Sequence, residues 1–352
     1  MNSQHGFGIN EEVRRQFHRD GFVMIRNAIT REDVEVLRRE VDSLVNFLIS
    51  ENMDIMKDFG GVIEPISCGY IDPPVSQMYI LSKRSYSSLR NMVTEDPDTV
   101  VPILFGKMPE LAKNFLPATT ADNPMCLFNE QYIVKTPNSA SSSSFEWHQD
   151  SQYMDISAQK AFPIVSCWTA LDDVNITNGT LLIEPFPRIV DSSTGSYLDL
   201  PSSLSSHEVH LQHHMHLASL YEKELDRDAA IAQAHHSDVF VSDSQPSISS
   251  TSPNETHVIE RQKPILVEMP AGTTVFLSGF VRHCSLGNGS SKFRRAYMPQ
   301  FSAGKVQTSE GGLVSLAVPC PDDQHERELE QQQQDEIYNQ LDDLEYNSLM
   351  QE

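Results

Sequence analysis

Val34, Leu37, Val41, Leu44, Val45 and Leu48 recur at three- and four-residue intervals, while Arg38, Arg39, Glu40 and Asp42 fill positions between them. That period puts the apolar side chains on one stripe and predicts an amphipathic helix laid on a core, its charged residues on the other face. Thr30-Arg31-Glu32-Asp33 ahead of it is a plausible helix cap, and Gly21-Phe22-Val23-Met24-Ile25-Arg26 before the cap reads as a short strand. Beyond about residue 120 the pattern changes to short apolar runs: Met125 to Val134, Phe145 to His148, Ile164 to Ala170, Thr180 to Glu184, Pro264 to Met269, Thr273 to Leu277 and Phe293 to Phe301. Turn residues such as Pro270-Ala271-Gly272 separate them. Many short strands with Gly/Pro turns predict a mainly β fold with flanking helices, built as a closed or double-sheet architecture such as a jelly roll.

Two stretches break this rhythm. From about 191 to 262 the chain is Ser-rich, with a helix predicted at about 208 to 234, and polar segments of this kind bury too little apolar area to offset their ordering entropy. The stretch reads as an insertion into one domain spanning 1–310. Its place between two groups of strands predicts a mobile cover over the mouth of the barrel. Residues 311–352 read as an acidic, Gln-rich tail, either a solvated helix or disordered.

Charge narrows the function classes. Among 352 residues, 49 Asp and Glu against 26 Lys and Arg give a net charge of −23, which argues against nucleic acid as a partner, because phosphate binding depends on cations. Five scattered cysteines, Cys68, Cys126, Cys167, Cys284 and Cys320, contain no C-x-x-C and indicate neither a disulfide framework nor a thiolate zinc site. No apolar window is long enough for a membrane span and the first thirty residues lack a secretory signal, so a cytoplasmic, reduced setting is expected. The sequons at Asn175, Asn178, Asn254 and Asn288 then read as chance matches.

Candidate chemistry begins at Phe145-Glu146-Trp147-His148-Gln149-Asp150. On an extended segment, residues two apart share a face, so His148 and Asp150 converge. Far downstream, Gly279-Phe280-Val281-Arg282-His283-Cys284-Ser285 supplies a second isolated histidine. Two histidines and one carboxylate on one face of a metal is the arrangement of non-haem Fe(II) oxygenases, although a bare H-x-D also fits a surface or core-edge pair. Eleven residues after His283 comes Phe293-Arg294-Arg295-Ala296-Tyr297. Strand alternation lets only one of the two arginines face out, and an inward guanidinium suits a bidentate carboxylate. His207, His210, His213, His214 and His216, with His235 and His236, form a second histidine-rich set. His210 and His214 share a helix face at zinc-ligand spacing, but no nearby Cys or well-placed carboxylate completes a site, and the stretch reads as a solvated polar helix.

Taken together, Phe17-His18-Arg19-Asp20-Gly21-Phe22-Val23, His148-Gln149-Asp150, Trp168-Thr169-Ala170-Leu171, Asn178-Gly179-Thr180-Leu181 and His283-Cys284-Ser285 leading to Arg294-Arg295-Ala296 stand in one order. In this the chain resembles the phytanoyl-CoA dioxygenase family of Fe(II)- and 2-oxoglutarate-dependent oxygenases over roughly residues 12 to 305. The resemblance implies a double-stranded β-helix (jelly-roll) core, with His148, Asp150 and His283 as iron ligands and catalytic centre. It implies Arg294 and Ser285 on the far carboxylate of 2-oxoglutarate, Trp168 lining that pocket and Gln131 reaching the cosubstrate. The implied activity is hydroxylation of a small organic substrate using O2, with release of succinate and CO2. Asp150 occupies the position that related halogenases leave to a small residue. The alternative is a non-catalytic jelly roll that binds a small ligand or partner. Pro185-Phe186-Pro187-Arg188 departs from the Pro-Gly-Ser-His turn common in the family and puts the substrate mouth in doubt. Substrate identity and oligomeric state stay open at this level.

Overall fold

The computed structural model of the chain describes residues 9–65, 86, 100–120, 124–153, 163–197, 207–221, 226–236, 257–304 and 318–320. Helix α1 (Glu11–Asp20) starts at Asn10, whose side chain accepts from Val13 N, and carries Glu11 and Glu12 in its first turn. Gly21 ends it at φ 83°, and a Cβ there would come 2.9 Å from both Phe186 and Val281, so the chain can turn into strand β1 (Phe22–Ile25) only with glycine. Helix α2 (Arg31–Ser50) begins with a capping box formed by Thr30 and Asp33, as its sequence predicts. All six residues of its expected apolar stripe are buried. Glu40, expected on the charged face, is buried too, because the Tyr132 hydroxyl donates to its carboxylate.

The remaining elements, in chain order, are β2 (Val62–Ile63), α3 (Met108–Ala112), β3 (Cys126–Lys135), β4 (Phe145–His148), β5 (Ile164–Ala170), β6 (Leu181–Glu184), β7 (Arg188–Asp191), α4 (His207–Ser219), α5 (Arg227–Gln233), β8 (His235–His236), β9 (His257–Glu260), β10 (Ile265–Leu266), β11 (Thr274–Ser278), β12 (Arg282–Ser285), β13 (Arg294–Ser302) and β14 (Val318–Pro319). One sheet runs β1-β11-β5-β13-β3-β14, with β2 also on β3, and the other runs β4-β12-β6-β10-β8. Eight strands, β3, β4, β5, β6, β10, β11, β12 and β13, divide four and four between the sheets in the orders β11-β5-β13-β3 and β4-β12-β6-β10. Within each set the neighbours are antiparallel, which makes the double-sheet architecture expected from the strand pattern a double-stranded β-helix.

Period-two alternation assigns the faces of the larger sheet. Tyr132, Val134, Val165, Cys167, Phe276, Tyr297 and Phe301 point outward into a core shared with α2 and α3. Ile133, Trp168, Ala170, Ala296 and Met298 point inward, where they meet Leu181 and Ile183 of the smaller sheet. The layering is helices, large sheet, interior, small sheet.

The stretch expected to be a mobile cover is docked where it is described. Ala230 of α5 is fully buried against Trp147, Leu182, Leu266 and Cys284 on the outer face of the small sheet. Leu217 of α4 joins the inner cluster, β8 extends the small sheet in parallel beside β10, and β7 pairs with β9. The single predicted helix is two, α4 and α5. Val318 and Pro319, inside the expected tail, pair with Leu127 and Cys126 of β3, while residues 321–352 lie outside the described residues. Asn288 is fully buried, its amide donating to the carbonyls of Lys135, Thr136 and Lys292, so that sequon is a structural asparagine. No helix among the described residues is long and apolar enough to cross a membrane.

Candidate active site

Strands β4 and β12 are antiparallel neighbours with His148 opposite His283. This pairing joins two histidines that are far apart in the chain, and their ring centroids stand 4.3 Å apart. Asp150 follows β4 by two residues, with Oδ1 3.8 Å from His148 Nε2 and 3.9 Å from His283 Nε2. The three form one of two groups among the described residues whose ligand atoms lie close enough to hold a metal.

Both imidazoles are oriented by the backbone. His148 Nδ1 lies 2.7 Å from the Glu146 carbonyl and His283 Nδ1 lies 3.2 Å from the Val281 carbonyl. A carbonyl only accepts, so each Nδ1 carries the proton and each Nε2 presents its lone pair to the cluster. Burial, with His148 alongside, pulls His283 below the ordinary histidine range and keeps it neutral. Asp150 is held from behind: Ser166 on β5 donates its hydroxyl to Oδ2, and Gln300 Nε2 on β13 donates to Ser166 Oγ at 2.8 Å. Such outer partners fix the ligand's orientation. Sequence reasoning missed Ser166 and Gln300, whose only signal was a polar residue on the inward face of an apolar strand.

These residues open on a cavity of about 420 Å³ between the sheets, lined also by Gln131, Trp168, Ser285, Arg294 and Met298. The seven residues that the resemblance assigns to iron and cosubstrate therefore border one space. Alternation decides between the arginines. Arg295 turns outward and pairs with Asp172 (Nη2 to Oδ1, 2.7 Å) and Asp42 (Nη1 to Oδ1, 2.6 Å). Arg294 turns inward, is fully buried, and has Cζ 5.3 Å from the Trp168 ring centroid. None of its Nε, Nη1 and Nη2 atoms has a hydrogen-bond partner among the described residues. Burial draws this guanidinium down to about 9, still cationic at neutral pH.

A second buried basic side chain was not foreseen. Lys135 stands opposite Arg294 across the β3–β13 pair and is fully buried. Its Nζ lies 2.7 Å from Ser285 Oγ and within hydrogen-bonding distance of the Ser143 and Leu286 carbonyls. Burial first, and Arg294 second, push it down to about 5. Gly179, at φ 93°, makes room for it, since a Cβ there would come 2.7 Å from the Lys135 side chain. Lys135 thus anchors the Ser285 hydroxyl at the cavity wall. Gln131 lines the cavity from β3, and Phe186, in the divergent turn, is buried beside Tyr221 and away from the cavity lining.

A jelly roll with two histidines and a carboxylate on one face of a closed interior defines a class of mononuclear metal enzymes that keep part of the coordination sphere for small molecules. Residues 17–185 match the family model described as Phytanoyl-CoA dioxygenase (PhyH). The matched stretch contains His148 and Asp150, and the strand pairing adds His283 and Arg294 beyond its end. No curated protein sequence matches the chain. Among solved structures, similar ones include the non-heme alpha ketoglutarate dependent carbocyclase SnoK from nogalamycin biosynthesis, at 14% identity over 90% of each chain and TM-score 0.46. EvdO2 from Micromonospora carbonacea var. aurantiaca, complexed with 2-oxoglutarate, is similar at 16% identity over 86% of this chain and 97% of that one, TM-score 0.43. The epimerase SnoN, in complex with Fe3+, alpha ketoglutarate and nogalamycin RO, is similar at 13% identity over 89% and 96%, TM-score 0.44.

Proposed function

We propose that this protein is a non-haem Fe(II)- and 2-oxoglutarate-dependent dioxygenase that hydroxylates a small organic substrate. The observation that carries the reading is Arg294, a fully buried guanidinium whose three nitrogens have no partner among the described residues, in the same cavity as His148, Asp150 and His283. An unpaired buried cation costs several kcal/mol, and a carboxylate in the cavity would offset that cost. The donor set fits the metal as well: two imidazoles and one carboxylate suit Fe(II), and among the described residues no cysteine joins the three.

In this reading His148, Asp150 and His283 hold the iron, while Arg294 and the Ser285 hydroxyl bind the far carboxylate of 2-oxoglutarate. Bound Fe(II), 2-oxoglutarate and O2 supply oxidation of an unactivated C–H bond, with release of succinate and CO2. The protein supplies geometry. The Glu146 and Val281 carbonyls set the imidazole tautomers, Ser166 aims Asp150, and Lys135 aims Ser285. Trp168 walls the guanidinium from water, and Gln131 offers a further polar contact to the cosubstrate. Asp150 fills the third protein position, which favours hydroxylation over halogenation. The volume of about 420 Å³ suits a small substrate beside the cosubstrate.

The test is anaerobic titration with Fe(II) and then 2-oxoglutarate, followed by a succinate assay in air with and without a metabolite extract. One Fe(II) per chain, lost on His148→Ala, and extract-stimulated succinate are expected. Stoichiometric iron in both His148→Ala and His283→Ala would remove the proposed metal site. Cosubstrate binding without succinate under any condition would leave a ligand-binding jelly roll.

A further inference from the structure

The histidine-rich helix α4 turns two of its imidazoles inward. His210 and His214, one turn apart, are buried, and they face His18 from the last turn of α1. His18 Nδ1 lies 3.1 Å from His214 Nε2, the His210 and His214 rings are 4.5 Å apart, and the His18 and His210 rings are 4.9 Å apart. One ring nitrogen from each of the three lies within 4.8 Å of the others. We propose that His18, His210 and His214 form a second metal site, specific for Zn(II) or a similar borderline cation, which staples α4 to α1.

Two features support a built site. Zn(II) binds imidazole nitrogen at about 2.0–2.1 Å, which places tetrahedral ligands about 3.3–3.4 Å apart. The His18–His214 separation is within a few tenths of an ångström of that, and the third ligand needs only a side-chain adjustment. Outer partners are in place as well. His214 Nδ1 is 2.8 Å from Ser278 Oγ at the end of β11, and His213 Nε2 is 3.1 Å from the His18 carbonyl, closing the C-terminus of α1. Among the described residues no carboxylate or thiol joins the three, which leaves a coordination position for water or a small anion.

The site lies next to the first without sharing a residue. Ser278 leads directly into Gly279-Phe280-Val281, and these carbonyls accept from Ser151 N, Gln149 Nε2 and His283 Nδ1. A cation at His214 would stiffen the turn that carries the distal histidine. The inference does not rest on the dioxygenase reading.

The experiment uses the full chain and Zn(II), with His148→Ala/His283→Ala as the background that blinds the cavity site. One Zn(II) per chain should survive desalting in this background, raise its thermal midpoint, and be lost on adding His18→Ala or His210→Ala. The exposed His216→Ala on the same helix should change neither readout. In the otherwise unsubstituted chain, His18→Ala and His210→Ala should each lower zinc stoichiometry by one equivalent, and this comparison decides the matter if the background variant does not fold. Unchanged zinc content in the His18 and His210 variants, or none bound by a folded background protein, would overturn the site. A chain that binds zinc here but makes no succinate separates this proposal from the function above.

Discussion

Two adjacent arginines on one strand meet opposite fates, because consecutive side chains on a strand face opposite ways. Arg294→Leu should weaken 2-oxoglutarate binding by about 1.5 to 3 kcal/mol, roughly 10- to 150-fold, the scale of a lost charge-assisted contact. Arg295→Leu should leave that affinity unchanged and instead lower thermal stability through the lost Asp172 pairing. Equal effects of the two changes on cosubstrate affinity would exclude the assignment. Lys135 makes a pH prediction. Folded, it holds its proton only below about 5; unfolded, it does so up to the ordinary lysine value of about 10.4. Between those limits the unfolded chain binds the extra proton, so this residue makes stability rise with pH, by at most about 1.4 kcal/mol per unit. Urea unfolding at pH 7 and 9.5 should show Lys135→Met with a smaller stability gain than the parent chain. Identical gains would mean that the buried lysine is charged.

At the scale of elements, α2 follows from its own residues: a capping box, a stripe at helical spacing and an acidic first turn all agree with its tertiary role. Strands β3, β4, β5, β6, β11 and β13 likewise fall where short apolar runs lie between turns. The insertion does not follow in this way. Its helix α5 is only seven residues long and its buried Ala230 is ordinary in sequence; what makes it structural is the outer face of the small sheet, which needs covering. Ala230→Asp should therefore cost roughly 3 kcal/mol, as an unpaired carboxylate pressed onto Leu182 and Leu266. Exchange of residues 207–236 for a Gly-Ser linker should lower the thermal midpoint and promote aggregation. An unchanged midpoint in the shortened chain would return the segment to the role of a dispensable cover.

For the whole molecule, the net charge of −23 sets a field opposed to its own cosubstrate. The cation for a dianion lies inside, at Arg294, where long-range steering is weak. The association rate of 2-oxoglutarate should consequently rise with ionic strength between about 0.01 and 0.15 M, as the screening length falls from roughly 30 to 8 Å. Stopped-flow fluorescence from Trp168 would follow it. A rate that falls with salt would reveal a positive approach path that the overall charge conceals.

Much of the site was legible before any coordinates, since His148 and Asp150 are two apart and their convergence is local geometry. The same holds for the conclusion that one of Arg294 and Arg295 must turn inward, and for the strand-and-turn rhythm of a jelly roll. The antiparallel pairing of β4 with β12 brings His283 to His148. The partners behind Asp150 come from β5 and β13, and the lysine behind Ser285 comes from β3. His18 meets His210 and His214 only because α1 and α4 pack together, although nearly two hundred residues separate them. Local pattern determined elements and faces, because dihedral period is a property of neighbouring residues. Which faces met was decided by long-range pairing and burial, and there polar residues that looked solvent-bound in the sequence acquired their partners.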